Sequence, residues 1–339
     1  MGGDQTMTNM QNEMTQPITH EQDDEIDLLA LFKTLRQGKW LIIASTLVST
    51  AISVMVALNM PNIYQSRVLL APAESESGGG LAALAGQMGG LASLAGVSLG
   101  EGKAGKSDIA VEIGKSRQFV THFIRSHQLE VPLMAATKWD QQSGQLVINS
   151  ELYDAQQKKW VREVKEGTSL EPTDWELYKA FSELMALEKD KKSGLATLSI
   201  DFYSPLLTKQ WADWFVHDLN QAVRERDQVE ARKNIDYLHK QQAQTALASM
   251  QTVFSQLIEQ QTKTLMLAEV QQEYAFKTID PAVVPEEKLK PKRALIVALG
   301  TLTGGSIGIL LVLVRSLLRS RKASETKASD HEYVLSKVG

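Results

Sequence analysis

The chain has 339 residues, of which 36 are Lys or Arg and 40 are Asp or Glu, so its net charge is -4. This balance disfavours nucleic acid as a partner, because phosphate backbones are bound by an excess of basic residues. The chain contains no cysteine, which excludes disulfides, thiol catalysis and cysteine-bound zinc.

Two long apolar runs are predicted to cross a membrane. Residues 41–60, "LIIASTLVSTAISVMVALNM", carry no charge and end before Pro61, and residues 294–314, "ALIVALGTLTGGSIGILLVLV", carry none and end before Arg315. About 20 apolar residues at ~1.5 Å per residue match the ~30 Å hydrocarbon layer. The first run begins too late in the chain and is too long for a cleaved signal peptide.

The charges that flank the first run predict its orientation. Lys33, Arg36 and Lys39 precede it, whereas only Arg67 follows closely. Positive residues favour the cytoplasmic side, so both termini are predicted to be cytoplasmic. The predicted order is a cytoplasmic segment (1–40), transmembrane helix 1 (41–60), a periplasmic domain (61–293), transmembrane helix 2 (294–314) and a short cytoplasmic tail (315–339).

A nucleotide-binding motif appears inside the predicted periplasmic domain. "GEGKAGKS", at residues 100–107, fits the phosphate-loop pattern G-x-x-x-x-G-K-[ST]. The periplasm supplies no ATP, and the preceding Gly- and Ala-rich stretch does not have the pattern of the buried strand that such a loop requires. An apolar run that ends at Asp201 could supply the acidic residue that accompanies a phosphate loop in nucleotide-binding proteins. An apolar run followed by Asp is a common pattern, however. We therefore predict that neither nucleotide nor another cofactor binds there.

The periplasmic domain is predicted to begin with an α/β base over residues 61–204. Residues 61–73 have the pattern of a strand, as do 145–153 and 194–203, while 107–130 and 174–189 have helical patterns. Strand and helix patterns that alternate along a chain indicate an α/β domain.

A Gly-rich loop, residues 78–105, interrupts this base after its first strand. It contains the ten-residue near-repeat "LAALAGQMGG" and "LASLAGVSLG". Glycine at this density disfavours a persistent helix. The loop is interpreted either as a linker or as a small-residue surface that packs against a neighbouring subunit or enters the membrane interface.

Residues 205–280 are predicted to form a long helical region. No Gly or Pro lies between Pro205 and Pro281, and an uninterrupted helix of this length would measure about 110 Å. Residues 279–293, which include the Pro-rich segment 281–293, reach about 50 Å at most. A helix that ran outward could not be brought back to the second span, so the region must form a hairpin or run toward the membrane. The residues with coiled-coil spacing are Leu247, Met250, Phe254 and Leu257.

Several segments of this chain resemble one known family. They are "EIDLLALFKTLRQGKWLI", "YQSRVLLAP", "AVEIGKSRQFV", "GLATLSIDFYSPLLTKQWADWFVHDLN" and, most specifically, "EYAFKTIDPAVVPEEKLKPKRALIVALG". The chain is similar to the Wzz-type polysaccharide co-polymerases, or chain-length determinant proteins, from about Glu25 to Arg319. The resemblance implies that a helix ends at Tyr-Ala-Phe in the last segment, and that a Pro-rich stretch then leads to the second span. Its motif positions are Tyr274, Phe276, Asp280, Pro281, Pro285 and Pro291.

The resemblance implies a fold and a function. The expected fold is an α/β periplasmic base domain with a long α-helical extension, anchored by two transmembrane helices and assembled into a homo-oligomeric ring. The expected function is non-enzymatic regulation of polysaccharide length beside a Wzy-type polymerase in the bacterial inner membrane, with polysaccharide and membrane lipid as further partners. The product would be O antigen of lipopolysaccharide, capsule or exopolysaccharide. Some relatives carry a kinase domain after the second span, for which the 25 residues after Val314 are too few.

An alternative function is a periplasmic adaptor or scaffold subunit of an envelope export system, since such subunits also carry helical hairpins. A two-span sensor is disfavoured, because the predicted cytoplasmic segments are too short for an output module. No arrangement typical of a catalytic, cofactor or metal site is apparent in the sequence.

Two groups of residues are predicted to make contacts instead. Gly300, Gly304 and Gly308 lie four residues apart in the second span, a spacing that lets helices pack closely in lipid. A basic band on the helical region is interpreted either as ion-paired surface, with Glu225, Asp227 and Glu230, or as a contact for the polymer. The residues of this band are Arg224, Arg226, Arg232 and Lys233.

Overall fold

A computed structural model describes residues 28–73 and 105–335, with side chains for residues 33–73 and 105–318. The Gly-rich near-repeat lies in residues 74–104, outside the described residues. The chain divides into two compact units. One is Met60–Lys292, and the other joins the chain up to Asn59 with the chain from Arg293 onward.

The second of these, the membrane unit, consists of three helices. They are α1 (Leu28–Gln37), α2 (Lys39–Asn59) and α9 (Arg293–Leu335). Helix α2 and the Arg293–Leu318 stretch of α9 are long and apolar enough to cross a membrane, with mean hydropathies of 2.3 and 2.2. Only 6% and 17% of their most apolar windows are buried, unlike the core helix of a soluble protein. The two helices therefore fit the two predicted spans, and α9 continues beyond the predicted end of its span.

A four-stranded antiparallel sheet is the centre of the other unit. Its strands are β1 (Tyr64–Pro72), β6 (Met185–Lys189), β7 (Ala196–Phe202) and β8 (Phe276–Asp280), in the order β6-β7-β1-β8. In β1 and β7 buried residues alternate with more exposed ones, so one face of the sheet packs on a core. The strand after the first span is thus central in the sheet, and the strand before the second span lies at its edge.

Short ribbons and helices complete the base. The ribbons are β2 (Ala136–Asp140) with β3 (Gln145–Ile148), and β4 (Tyr153–Asp154) with β5 (Lys159–Trp160). The helices are α3 (Lys106–Lys115), α4 (Arg117–Ser126), α5 (Glu130–Ala135) and α6 (Asp174–Leu184). Thr173 caps α6 by accepting a hydrogen bond from the Glu176 N–H, while the Glu176 carboxylate accepts one from the Thr173 N–H.

Aromatic side chains from three helices fill the core against the sheet. Phe123 of α4, Phe181 of α6 and Phe215 of the following long helix are fully buried, with ring centroids 5.3–6.1 Å apart. Trp211 packs 4.3 Å from Phe202 of β7. Such contacts add to the hydrophobic gain from burial. Phe119, Phe123 and Ile124, in the predicted helical stretch 107–130, lie in this core.

The helical region forms an antiparallel hairpin, one of the two courses that the length argument allowed. Helix α7 (Pro205–Gln244) and helix α8 (Ala248–Val270) are joined by a short turn. Gln228 Nε2 donates to the Ala268 carbonyl at 3.2 Å near the base, and Gln242 Nε2 lies 2.9 Å from Ser255 Oγ near the tip. This hairpin completes the expected class of fold, an α/β base with a long helical extension.

Two helix predictions and one strand prediction differ from the structure. Residues 185–189 form strand β6 rather than the end of a helix, because they pair with β7 and bury Leu187. The predicted helix end at Tyr-Ala-Phe is an extended segment that enters β8, so the helical region stops at Val270 instead of residue 280. The predicted strand 145–153 ends at Ile148, after which the chain turns.

One buried amide ties the hairpin to the sheet. The Asn220 side chain on α7 accepts hydrogen bonds from the Ala275 and Phe276 N–H groups at 2.8 and 2.9 Å and donates to the Phe276 carbonyl at 3.1 Å. It is 4% exposed. A single side chain thus satisfies three buried backbone groups where the chain returns from the hairpin to the sheet edge.

Replacing this amide should destabilise the protein strongly. We expect Asn220→Leu to lower the free energy of unfolding by about 3 kcal/mol or more, because three buried polar groups lose their partner. Urea unfolding of the full chain in detergent measures the change. The control is Gln221→Leu, whose amide bonds only to exposed Glu225 and whose loss should cost less than ~1 kcal/mol. Equal effects of the two substitutions would contradict this role of Asn220.

Candidate functional site

The end of the phosphate-loop motif lies at the start of α3. Gly105 precedes the helix, Lys106 and Ser107 begin it, and the preceding strand β1 ends at Pro72. The Gly105 N–H donates to the Asp108 carboxylate at 3.0 Å. A phosphate held at this helix start would meet that carboxylate, and like charges repel at this range. The arrangement therefore disfavours nucleotide binding.

The lysine of the motif is engaged by the protein itself. Lys106 Nζ lies 4.0 Å above the centre of the Tyr274 ring and 3.5 Å from Asp227 Oδ2. Tyr274, which is 2% exposed, donates its hydroxyl hydrogen to the same Asp227 oxygen at 2.9 Å. Burial is the main cause that raises the pKa of Tyr274 above its usual value, and the nearby Lys106 opposes it. These three residues join α3, α7 and the segment before β8.

The serine of the motif also has a partner within the chain. Lys189 Nζ, from β6, donates to Ser107 Oγ at 2.8 Å and pairs with Asp108 Oδ1 at 2.7 Å. The hydrogen bond from Lys189 lowers the pKa of Asp108. The motif residues that would hold a phosphate thus attach α3 to the sheet and to the hairpin base.

In the membrane unit, the predicted glycine row faces α2 of the same chain. A Cβ on Gly300 or Gly304 would overlap Ser53 or Ser49, and one on Gly308 would come within 2.9 Å of the Ile42 Cα. Two hydroxyls donate across this contact, from Ser49 to the Gly300 carbonyl at 2.7 Å and from Ser45 to the Gly304 carbonyl at 2.9 Å. The two helices approach closely enough only because these three residues have no side chain.

The serine row on α2 is the counterpart that the sequence reasoning missed. Ser45, Ser49 and Ser53 repeat every fourth residue, as the glycines do, and lie opposite them in antiparallel order. Small polar residues at this spacing are a recognised feature of packed membrane helices. The signal was therefore present in the first span.

The four basic residues of the hairpin do not form one cluster. Arg232 pairs with Glu269 of α8 at 3.8 Å, and both side chains are more than half exposed. Arg224 is half-buried beside the core, whereas Arg226 and Lys233 are exposed. Because these last two are seven residues apart on α7, they share one helix face. Of these four residues, Arg226 and Lys233 are therefore the exposed pair that one partner could contact together.

The family-motif residues line the return path from the hairpin. Tyr274 and Phe276 are buried, while Asp280 ends β8 opposite Leu69 of β1. The Pro-rich segment then runs back along the start of β1. There the Ile63 N–H donates to the Lys290 carbonyl at 2.9 Å, and Ser66 Oγ donates to the Val283 carbonyl at 2.9 Å. The prolines of this segment are Pro281 (exposed), Pro285 and Pro291 (both half-buried).

Within the described residues, no group of three or more His, Asp or Glu side chains is placed to hold a metal ion.

Two family models match the chain at its two ends. Residues 24–127 match "Chain length determinant protein" (Wzz), and residues 242–317 match "G-rich domain on putative tyrosine kinase" (GNVR). The two matched regions meet in the structure, because β1 pairs with β8 and α2 packs on α9. The features together define a protein with an α/β domain inserted between two apolar helices. The chain thus contains a region that matches the chain-length determinant (Wzz) model and a region that matches the GNVR model.

Solved structures show only a distant overall likeness. A "full-length bacterial polysaccharide co-polymerase" is 17% identical, with 87% of this chain and 98% of that chain covered and a TM-score of 0.35. A "Fragment of WzzB, Polysaccharide Co-polymerase from Salmonella Typhimurium" is 12% identical, with 68% and 100% covered and a TM-score of 0.26. No curated protein matches the chain. The similarity to chain-length determinants rests on the match over residues 24–127.

Removing the motif lysine should reduce stability without any link to nucleotide. We expect Lys106→Ala to cost about 1–2 kcal/mol, because a cation–ring contact and an ion pair are lost. Thermal unfolding of the full chain with and without Mg-ATP measures both effects. The control Lys115→Ala removes only an exposed pair with Glu112. A midpoint that ATP raises in the wild type and not in Lys106→Ala would show nucleotide binding.

If the Lys106→Ala Ser107→Ala protein reaches the membrane at normal levels, the length distribution of the polysaccharide should stay unchanged. A distribution like that of the deletion strain, at normal protein level, would give this place an essential role in length control.

Filling the glycine row should separate the two apolar helices. We expect Gly304→Leu with Gly308→Leu to weaken the helix contact by about 1–2 kcal/mol, as for interhelical contacts in lipid. The unfolding midpoint and the oligomer size in detergent measure the effect. The control is Gly305→Leu, where an added Cβ meets nothing nearer than Thr46 Oγ1 at 3.7 Å. Equal behaviour of the two variants would contradict close packing at this row.

Proposed function

We propose that this chain is a non-enzymatic polysaccharide co-polymerase that sets the chain length of a Wzy-dependent surface polysaccharide. The match of residues 24–127 to the chain-length determinant model carries this proposal. The polymer would be O antigen of lipopolysaccharide or a related capsule or exopolysaccharide. The protein would act as a homo-oligomer beside a Wzy-type polymerase.

The two apolar helices and the Wzz match support an inner-membrane location. We place the protein in the bacterial inner membrane, with both termini in the cytoplasm and residues 61–293 in the periplasm, surrounded by membrane lipid. The lysines and arginine before α2 support this orientation. A reporter fused after Gly339 tests it. An alkaline phosphatase that is inactive and a fluorescent protein that fluoresces would support a cytoplasmic C-terminus, whereas the reverse would favour the export-adaptor alternative.

The proposed mechanism uses surfaces instead of reacting groups. The half of α7 before Arg224 packs on the sheet, and the half after it pairs with α8 and projects from the base. The 18 residues from Asp227 to Gln244 extend about 25 Å along the helix axis. A rigid projection repeated around an oligomer would offer the growing polymer a surface of fixed dimensions.

Loss of the gene tests the proposal. In a deletion strain the polysaccharide should still be made but should lose its preferred length on a gel, because polymerisation continues without the regulator. The full-length gene should restore the preferred length. A deletion strain with an unchanged length distribution would contradict the proposed function, and a strain without any polymer would point to an export or synthetic role.

The exposed basic pair on α7 is proposed as a polymer contact. We expect Arg226→Glu with Lys233→Glu to leave the oligomer intact and to shorten the preferred length, because an acidic polymer is held less tightly. The two contacts together contribute at most about 2 kcal/mol. The control Lys191→Glu with Lys192→Glu makes the same charge change in an exposed turn of the base.

Polysaccharide gels and the oligomer size in detergent distinguish two interpretations of the basic band. A weakened oligomer with length control lost in proportion would assign these charges to contacts between subunits. An intact oligomer with an unshifted length would contradict both interpretations. Reversing Arg224 and Arg232 as well tests the whole band.

A further inference from the structure

The membrane unit has a groove between its two apolar helices, at the end of α2 and the start of α9. Its volume is about 490 Å³, within the ~300–1,000 Å³ that is common for sites of small ligands. The walls of the groove are apolar, because each helix contributes only aliphatic side chains to them. These wall residues are Val54, Ala57, Leu58, Ala294, Val297 and Ala298.

The groove opens where the glycine row ends. At Gly300 an added Cβ would overlap Ser53, so the two helices leave no space there. In the next turn of α2 Ala57 is buried, whereas Val54 and Leu58 are 37% and 63% exposed. Close packing therefore gives way, within one turn, to an open groove with apolar walls. Such walls favour a hydrocarbon chain over a sugar or another polar ligand.

A guanidinium completes the lining. Among the described residues that line the groove, Arg293 alone is charged, and it lies at the first position of α9. A guanidinium presents a planar fork of N–H donors that matches two oxygens of a phosphate group. A ligand that suits both parts of the groove therefore joins a hydrocarbon chain to an anionic phosphate, as a phospholipid does.

The sequence before α9 carries positive charge where the proposed orientation disfavours it. Four basic residues lie within 288–293, against two acidic residues at 286–287. This end of the span is periplasmic in the proposed orientation, whereas basic residues are normally concentrated at the cytoplasmic end. Lys288 Nζ lies 3.4 Å from Asn62 Oδ1, and Lys290 Nζ lies 3.4 Å from Asp201 Oδ2. Topology does not explain the remaining charge, and an anionic partner at this membrane surface does.

We propose that the groove binds one anionic phospholipid of the periplasmic leaflet. Its phosphate would contact Arg293, and the upper part of one acyl chain would lie between α2 and α9. Residues 294–298 extend about 6 Å along the helix axis, so the walls contact only the first few carbons of the chain. The inference rests on the proposed membrane location and not on the regulation of polymer length, so an unchanged length in a deletion strain would leave it standing. A helix from a second copy of the chain is the competing occupant.

Lipid retention in native mass spectrometry tests the contact with phosphate. The full-length protein in detergent is incubated with equal amounts of phosphatidylglycerol and phosphatidylcholine that carry the same acyl chains. We expect the wild type to retain phosphatidylglycerol in several-fold excess. Arg293→Gln should lower this retention several-fold, whereas Arg293→Lys, which keeps the charge, should retain most of it. The control Arg315→Gln makes the same charge change at the other end of the span, outside the groove.

Filling the groove tests the contact with the acyl chain. Ala298→Leu places additional carbons within the walls and should lower the retention of phosphatidylglycerol several-fold. The control Ala51→Leu adds the same volume at an exposed position of α2 outside the groove, and it should leave retention unchanged. The oligomer size and the unfolding midpoint show whether each variant is folded.

Three results would overturn the proposal. Equal retention of the two lipids by the wild type would show that the groove does not select an anionic lipid. Unchanged retention of phosphatidylglycerol in both Arg293→Gln and Ala298→Leu would place the bound lipid elsewhere. Leu58→Cys in this cysteine-free chain tests the competing occupant, with Met55→Cys, exposed on α2 outside the groove, as its control. A disulfide between chains that forms in much higher yield at Leu58→Cys would assign the groove to a second copy.

Discussion

The antiparallel pairing of β1 with the returning chain is the contact on which the rest of the fold depends. Strand β1 begins shortly after α2, and the paired return, from β8 to the Ile63–Lys290 bridge, ends shortly before α9. A domain inserted between two spans must bring its chain back to where it left. Backbone hydrogen bonds between β1 and the returning chain hold the two together. They also give the buried backbone N–H and C=O groups there the partners that they require.

The hairpin follows from this return. A helix that projects from the base has to reverse, and α8 brings the chain back so that Asn220 can hold it at the sheet edge. In the membrane unit, α2 and α9 run antiparallel, and the rows of Ser45 and Gly304 meet without intervening side chains. The local sequence patterns and the contacts between distant residues thus favour the same structure, as expected of a sequence that specifies one fold.

Long elements were predictable from the sequence, and short ones were not. Some elements keep one sequence pattern over many residues, and the structure has a helix or strand at each of them. They are the two spans, β1, β7 and α7. Residues 185–189 and 276–280 are strands of five residues, too short for a period to show, and only their partners in the sheet define them. The role of Lys106 was also hidden, because its partners Asp227 and Tyr274 are distant in the sequence. The motif pattern predicted that Lys106 would contact a phosphate, whereas in the structure it contacts the Asp227 carboxylate and the Tyr274 ring.

In the proposed function, the dimensions of the α/β unit and its hairpin set the length of a polymer. The most direct measurement removes seven residues from each hairpin helix, 235–241 and 255–261, which shortens the projection by about 10 Å and nearly preserves the helix faces. With normal protein level and an intact oligomer, the account predicts that the polysaccharide is still made with one preferred length, shifted from that of the wild type. An unchanged preferred length under those conditions would contradict it.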